Sequence, residues 1–183
     1  ETICRELEPA VVGRCITGFE LLWPKSLSGI QPEDFASHIK GKRITSIYRR
    51  GKYLIFELDD GYRFSFHFRM TGSLICVNTA CQAPKYSRAI LHLNGNIMLF
   101  FTDPRKFGRI ETVQPELNAL SQLGPEPLEA DFSVGTLSDI VKGRKTPVKN
   151  LLLNQRCIAG IGNMYADEAL FMARIHPLRP AES

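Results

Sequence analysis

The feature that most limits what this chain can fold into is a change of hydrophobic period at one rigid breaker, Gly124-Pro125-Glu126-Pro127. Ahead of it, apolar residues come in short runs suited to strands: Cys15 to Leu22, Arg43 to Arg49, Tyr53 to Leu58, Tyr62 to Arg69, Leu74 to Val77, Ala89 to Leu93, Ile97 to Phe101 and Arg109 to Val113. Many short strands at such close spacing predict an antiparallel β-sandwich or barrel. Asp59-Asp60-Gly61 and Asn94-Gly95-Asn96 each join two of these runs, and Asn-Gly supplies the positive φ that a tight hairpin needs. Beyond the breaker the spacing turns helical, over Val134 to Val141, Val148 to Leu153 and Met164 to Ala173. Two helices are expected in the first part. One is Pro32 to Ile39, proline-led and acidic in its first turn; the other is the opening segment, where Ile3, Leu7, Ala10 and Val11 share a face and Gly13 is a stop. The reading is an α+β chain with domains at residues 1–123 and 124–183. Because Glu1 already lies inside a helical pattern and no methionine opens the chain, it is expected to be cut upstream.

Composition excludes more than it selects. With 44% apolar and 23% charged residues the chain has no disorder signature, and its 23 basic against 19 acidic residues, for a net charge of +4, suit a polyanionic partner without demanding one. The five cysteines, Cys4, Cys15, Cys76, Cys81 and Cys157, are odd in number and never form C-x-x-C. Neither a disulfide framework nor a metal site is written there, which favours a reducing cytosolic setting. No apolar run approaches the roughly 18 residues of a spanning helix, and no signal-peptide design opens the chain, so no membrane role is expected. The histidines lack H-E-x-x-H spacing and no G-x-S-x-G occurs. Asp59 and Asp60 read as turn residues, Asp167 and Glu168 as exposed or capping groups.

Four segments could carry chemistry. Strand Tyr62 to Met70 alternates, with Tyr62, Phe64, Phe66 and Phe68 facing a core and Arg63, Ser65, His67 and Arg69 facing outward, either as a plain solvated face or as a row of donors for an anion. Arg49-Arg50-Gly51-Lys52 is a basic cluster leading into a strand, its glycine leaving room for close approach. In Asp103-Pro104-Arg105-Lys106-Phe107-Gly108 a proline and a glycine bound a stiff loop that could present an arginine fork and an aromatic wedge to a base stack; alternatively the aspartate caps the loop and the phenylalanine is core. Gly160-Ile161-Gly162-Asn163 opens a helix whose first N–H groups could take a phosphate, although it lacks the third glycine of a dinucleotide site.

In order and spacing these blocks resemble the formamidopyrimidine-DNA glycosylases. The resemblance runs through Glu1-Thr2 and the following helix, Arg49-Arg50-Gly51-Lys52-Tyr53, His67-Phe68-Arg69-Met70-Thr71-Gly72, the Asp103 to Gly108 loop, Leu123-Gly124-Pro125-Glu126-Pro127-Leu128 and Gly160-Ile161-Gly162-Asn163-Met164-Tyr165, and so covers essentially the whole chain. It implies a β-sandwich followed by a helix-two-turn-helix domain, and a monomeric bacterial enzyme acting in the cytoplasm at the nucleoid. The implied activity is excision of 8-oxoguanine and formamidopyrimidines from double-stranded DNA, followed by scission at the abasic site. Lys52 then corresponds to a strand lysine that binds phosphate and assists β-elimination. His67, Tyr86, Arg105, Arg144, Lys149 and Asn163 become DNA-binding residues, with Lys52, His67, Arg105 and Asn163 lining one positively charged cleft. Met70, Arg105 and Phe107 fill the hole left by an everted base, Arg105 facing the orphaned cytosine. The implied nucleophile, an N-terminal proline followed by an acidic glutamate, belongs ahead of Glu1, and the implied zinc belongs to a four-cysteine finger beyond Ser183, leaving no metal or cofactor in these residues. The chain alone is therefore expected to bind damaged duplex weakly and to cleave it negligibly. Open alternatives are a damaged-DNA-binding relative without catalysis, an endonuclease VIII-type enzyme for oxidised pyrimidines, whose void-filling residues differ, and an RNA-binding β-barrel.

Overall fold

The aromatic face of one strand organises the first part of the chain. In the computed structural model, which describes residues 2–78, 82–113 and 120–183, Phe64 and Phe66 lie on β5 (Arg63–His67) and are fully buried. Phe56 of β4 (Tyr53–Leu58) stacks on Phe64 at 5.1 Å, and Phe101 of β8 (Ile97–Thr102) meets Phe66 edge-on at 5.3 Å. Each such ring stabilises the fold by about 1.5–3 kcal/mol relative to an exposed one. Glu1 and Cys81 lie outside the described residues.

Two sheets enclose this core. One has the order β1 (Ile16–Leu21), β7 (Ser87–Leu93), β8 and β6 (Ser73–Val77); the other runs β2 (Leu27–Ser28), β9 (Arg109–Thr112), β5, β4 and β3 (Ile44–Arg50). The ladders are antiparallel except where β2 lies parallel to β9 over two residues. The sequence signals neither that strand nor the 3-10 turn Pro24–Ser26 before it, because two or three residues carry no period. Helix α1 (Thr2–Val11) turns Leu7 and Val11 into the core and packs on β3 and β6, while α2 (Pro32–Ile39) buries Phe35 and Ile39 and lies on β1. Both expected hairpins form. Tyr62 N–H donates to Asp60 Oδ1 at 3.0 Å beside Gly61 at φ 81, and Gly95 and Asn96 take φ values of 78 and 59.

The described residues fall into two compact units dividing between residues 114 and 115, a little before the change of period at Gly124. The second contains α3 (Val134–Val141), α4 (Val148–Leu153) and α5 (Asn163–Ala173) around Leu151, Cys157, Ile158 and Ala181. Ser133 caps α3 by accepting from Thr136 N–H at 3.1 Å. Among the described residues no helix is long and apolar enough to cross a membrane.

Candidate nucleic-acid interface

In the first unit the candidate side chains are delivered at strand ends. Arg50 pairs with Tyr53 across the β3–β4 hairpin, leaving Gly51 and Lys52 as its tip, with Gly51 at φ 58 where a side chain would be strained. Lys52 thus stands on a turn one residue before β4, not within a strand. Its amine is exposed, yet the protein around it desolvates the charge enough to push its pKa below the ordinary lysine value.

His67 ends β5 opposite Tyr53, whose ring meets the imidazole edge-on at 4.7 Å. Arg69 N–H donates to His67 Nδ1 at 3.1 Å, so the neutral ring carries its proton on Nε2. Burial, with repulsion from Arg69 and Lys52, lowers its pKa to about 4. At neutral pH His67 is an uncharged N–H donor beside a lysine, an arrangement suited to a phosphate oxygen.

The Asp103 loop is organised by its first residue. Asp103 is buried, and its carboxylate accepts from Thr71 Oγ1, from Arg105 N–H at 3.2 Å and from Gly108 N–H at 2.7 Å. Burial by itself would raise its pKa; the hydrogen bonds outweigh that and hold it below the usual carboxylate value. Its backbone is gripped as well, because Asp103 N–H donates to Tyr86 O at 3.0 Å and Arg88 Nε donates to Asp103 O at 2.8 Å. The aspartate therefore caps the loop, as one of the two readings had it, but Phe107 is not core: it is 50% exposed. Met70, 74% exposed, comes from the β5–β6 connection to the same place. Arg105 Nη1 reaches Met70 Sδ at 3.2 Å, and its guanidinium lies 5.2 Å from the Phe107 ring. Two apolar wedges and a planar donor fork thus share one exposed tip. Arg69, Tyr86 and Lys106, at φ 53, 70 and 61, all take left-handed backbone in this neighbourhood. Non-glycine residues held in that region cost energy that the surroundings must offset.

The outward row expected on β5 does not form. Arg63 donates through Nε and Nη2 to Glu57 Oε1, at 2.9 and 2.7 Å, and Ser65 is buried in the middle of its sheet. Arg69 lies past the strand end. Period-two spacing assigns a face but not what covers it, and only His67 keeps the expected character. Tyr86 is exposed, with Lys85 Nζ 4.9 Å and Arg88 5.9 Å from its ring, so an aromatic and two cations share that loop.

In the second unit Gly162 is the N-cap of α5 and Asn163 its first residue, exposed. The leading N–H groups of a helix have no intrahelical acceptor. The approach to them is pinned by Gln155, whose Nε2 donates to Leu153 O and Ile161 O at 3.0 and 2.9 Å while Oε1 accepts from Gly160 N–H at 3.0 Å. Sequence reasoning missed this residue, since a glutamine in a polar loop carries no positional signal. Lys149 Nζ pairs with Asp167 Oδ1 at 2.7 Å, so its charge is partly neutralised and Asp167 is an ion-pair partner, not a cap. Arg144, exposed, directs Nη1 at Cys157 Sγ at 3.0 Å. Among the described residues no group of three or more His, Cys, Asp or Glu is placed to hold a metal ion.

The model of the formamidopyrimidine-DNA glycosylase N-terminal domain matches residues 1–110, and that of the glycosylase H2TH domain matches residues 123–183. The chain belongs to the formamidopyrimidine-DNA glycosylase family. The formamidopyrimidine-DNA glycosylase of Chloroflexus aurantiacus is 44% identical over 183 residues, covering 98% of this chain and 66% of the relative. That of Desulfitobacterium hafniense is 42% identical over 187 residues, covering 100% and 68%. The chain thus spans about two thirds of the length of these curated relatives. Among solved structures, the Lactococcus lactis glycosylase in complex with FAPY-dG-containing DNA superposes with a TM-score of 0.89 at 33% identity, covering all of this chain and 69% of that one. The complex of the same enzyme with abasic-site DNA gives 0.88 at 33% identity.

Proposed function

We propose that the protein carrying this chain is a base-excision repair glycosylase and AP lyase that removes 8-oxoguanine and formamidopyrimidines from double-stranded DNA. It works as a monomer in the bacterial cytoplasm at the nucleoid. The observation that carries the reading is the convergence of Met70, Arg105 and Phe107 on one exposed tip. A base everted for excision leaves a hole and an unpaired partner; two apolar side chains fill the hole and the guanidinium fork offers hydrogen bonds to the orphaned cytosine. Lys52 and His67 supply phosphate contacts beside it, and Tyr86, Arg144, Lys149 and Asn163 supply further DNA contacts, Lys149 on leaving Asp167. The attacking group is the N-terminal proline ahead of Glu1: its secondary amine gives up its proton and bonds to the sugar C1′ as the C1′–base bond breaks and the base leaves protonated, and opening of the C1′–O4′ bond, with O4′ taking a proton, turns the adduct into an iminium that permits β-elimination. Lys52 supports that elimination. Desolvation by the surrounding protein holds its amine pKa below the ordinary lysine value. Zinc belongs to the four-cysteine finger beyond Ser183.

Borohydride trapping tests this, because reducing the iminium leaves a stable protein–DNA adduct. The natural protein, made from its own start codon, should give the adduct on an 8-oxoguanine:cytosine duplex, and Lys52→Ala should slow scission while retaining it. The 183-residue chain should give none. Loss of the adduct in Lys52→Ala would show that the lysine is the nucleophile, and no adduct from the natural protein would remove the proposed activity.

A further inference from the structure

The loop that carries Arg105 and Phe107 has a second anchor. Lys106, between them, holds φ 61, and its ammonium lies over the ring of Trp23, 4.0 Å from the centroid. Trp23 stands between β1 and the 3-10 turn, and its backbone N–H donates to Arg88 O at 3.0 Å. Arg88 is the residue whose Nε grips Asp103 O. Trp23 and the loop are therefore joined twice, through Arg88 and through the cation on the ring. The indole Nε1 is buried and meets no acceptor among the described residues. Burying an N–H in that way is unfavourable, and a phenylalanine would avoid it. What an indole offers over a phenyl ring is a stronger π face for a cation, which is the use made of it here.

Asp103 fixes the ends of the loop by accepting from the N–H groups of Arg105 and Gly108, whereas the left-handed residue at its centre is held through its side chain by Trp23. We propose that Trp23 is a positioning residue for Arg105 and Phe107: by holding the Lys106 ammonium it sets the backbone between them, and so governs which base is accepted opposite the vacated position. The inference rests on Met70, Arg105 and Phe107 acting as the gap-filling group. Trp23 touches no DNA in this scheme, so its removal changes selectivity and leaves general affinity alone.

Trp23 is the only tryptophan of these 183 residues, so the emission of the 183-residue chain reports the contact without background. The test measures Kd of the natural protein for duplexes bearing a tetrahydrofuran abasic analogue opposite cytosine or adenine, and for intact duplex. Trp23→Ala should cut the cytosine-over-adenine ratio about threefold or more and leave affinity for intact duplex unchanged, and Trp23→Phe should keep part of the ratio. Lys106→Met should shift the Trp23 emission and lower the ratio as far as Trp23→Ala does, and the double variant should lower it no further. A ratio unaltered in Trp23→Ala and Lys106→Met overturns the proposal. Should Trp23→Ala not fold, Lys106→Met, on the exposed loop, decides alone. A parent protein that does not prefer the abasic analogue to intact duplex sinks the functional reading itself; a parent that prefers it, with both variants unaltered, sinks only the role of Trp23.

Discussion

A histidine that cannot easily be charged is a consequence of where β5 ends. The His67 pKa of about 4 lies below the ordinary value of 6.5, so the unfolded chain binds the proton more readily than the folded one. The stabilisation is complete above pH 6.5 and is lost as pH falls from there toward 4. Allowing for solvent screening at a partly exposed ring, about 1–2 kcal/mol is at stake. Guanidinium unfolding of the parent and His67→Gln at pH 7 and pH 4 should show the parent losing that much more than the variant. An equal loss in both would assign the pH dependence to another group. DNA affinity should be flat across the same window if His67 donates as the neutral ring, whereas a contact made by the imidazolium would strengthen as pH falls.

Elements, more than single residues, were legible in advance. Pro32–Ile39 carries its own start signals and forms as read, and the eight longer strands lie within one or two residues of their apolar runs. The site was legible where local chemistry decides it. Arg105 and Phe107 project because proline, glycine and a capping aspartate leave the loop few other shapes. It was opaque where the register of a partner decides it: nothing near Lys149 announces Asp167, and the Asp59-Asp60-Gly61 hairpin does not by itself say that Glu57 will face and neutralise Arg63. A Cβ at Gly108 would lie 2.5 Å from Cζ of the buried Phe101 ring and 3.2 Å from Asp103 Oδ2. Gly108→Ala should destabilise the first unit by about 1–3 kcal/mol through overpacking. It should also weaken discrimination between abasic and intact duplex; a Tm and a discrimination equal to the parent's would show that the loop is less tightly seated than the structure shows. In the second unit Gln155→Ala removes three hydrogen bonds from the approach to α5 and should lower affinity for intact and damaged duplex alike.

Across these 183 residues a net charge of only +4 means that the proposed affinity for DNA rests on a few placed contacts more than on a general positive field. Removing one ionic phosphate contact changes the slope of log K against log salt by about 0.9 on duplex DNA. Lys52→Ala should show that change and weaken binding to all duplexes, whereas Asn163→Ala should weaken binding with the slope nearly unaltered. Titrations between low and moderate salt check both, and a Lys52→Ala slope equal to the parent's would remove Lys52 from the phosphate contacts. The strand order has a further consequence, in time rather than energy. Among the described residues β1 finds its ladder only in β7, and β2 only in β9, where Ser28 pairs with Glu111. During synthesis at 5–20 residues per second, the roughly 80 residues between β2 and its partner take roughly 4–16 s to appear. The edge of β1 stays open until β7 has been made and that of β2 until β9 has, so the sheet holding β1 can close first and the newborn chain is most exposed to misassembly before these late strands emerge.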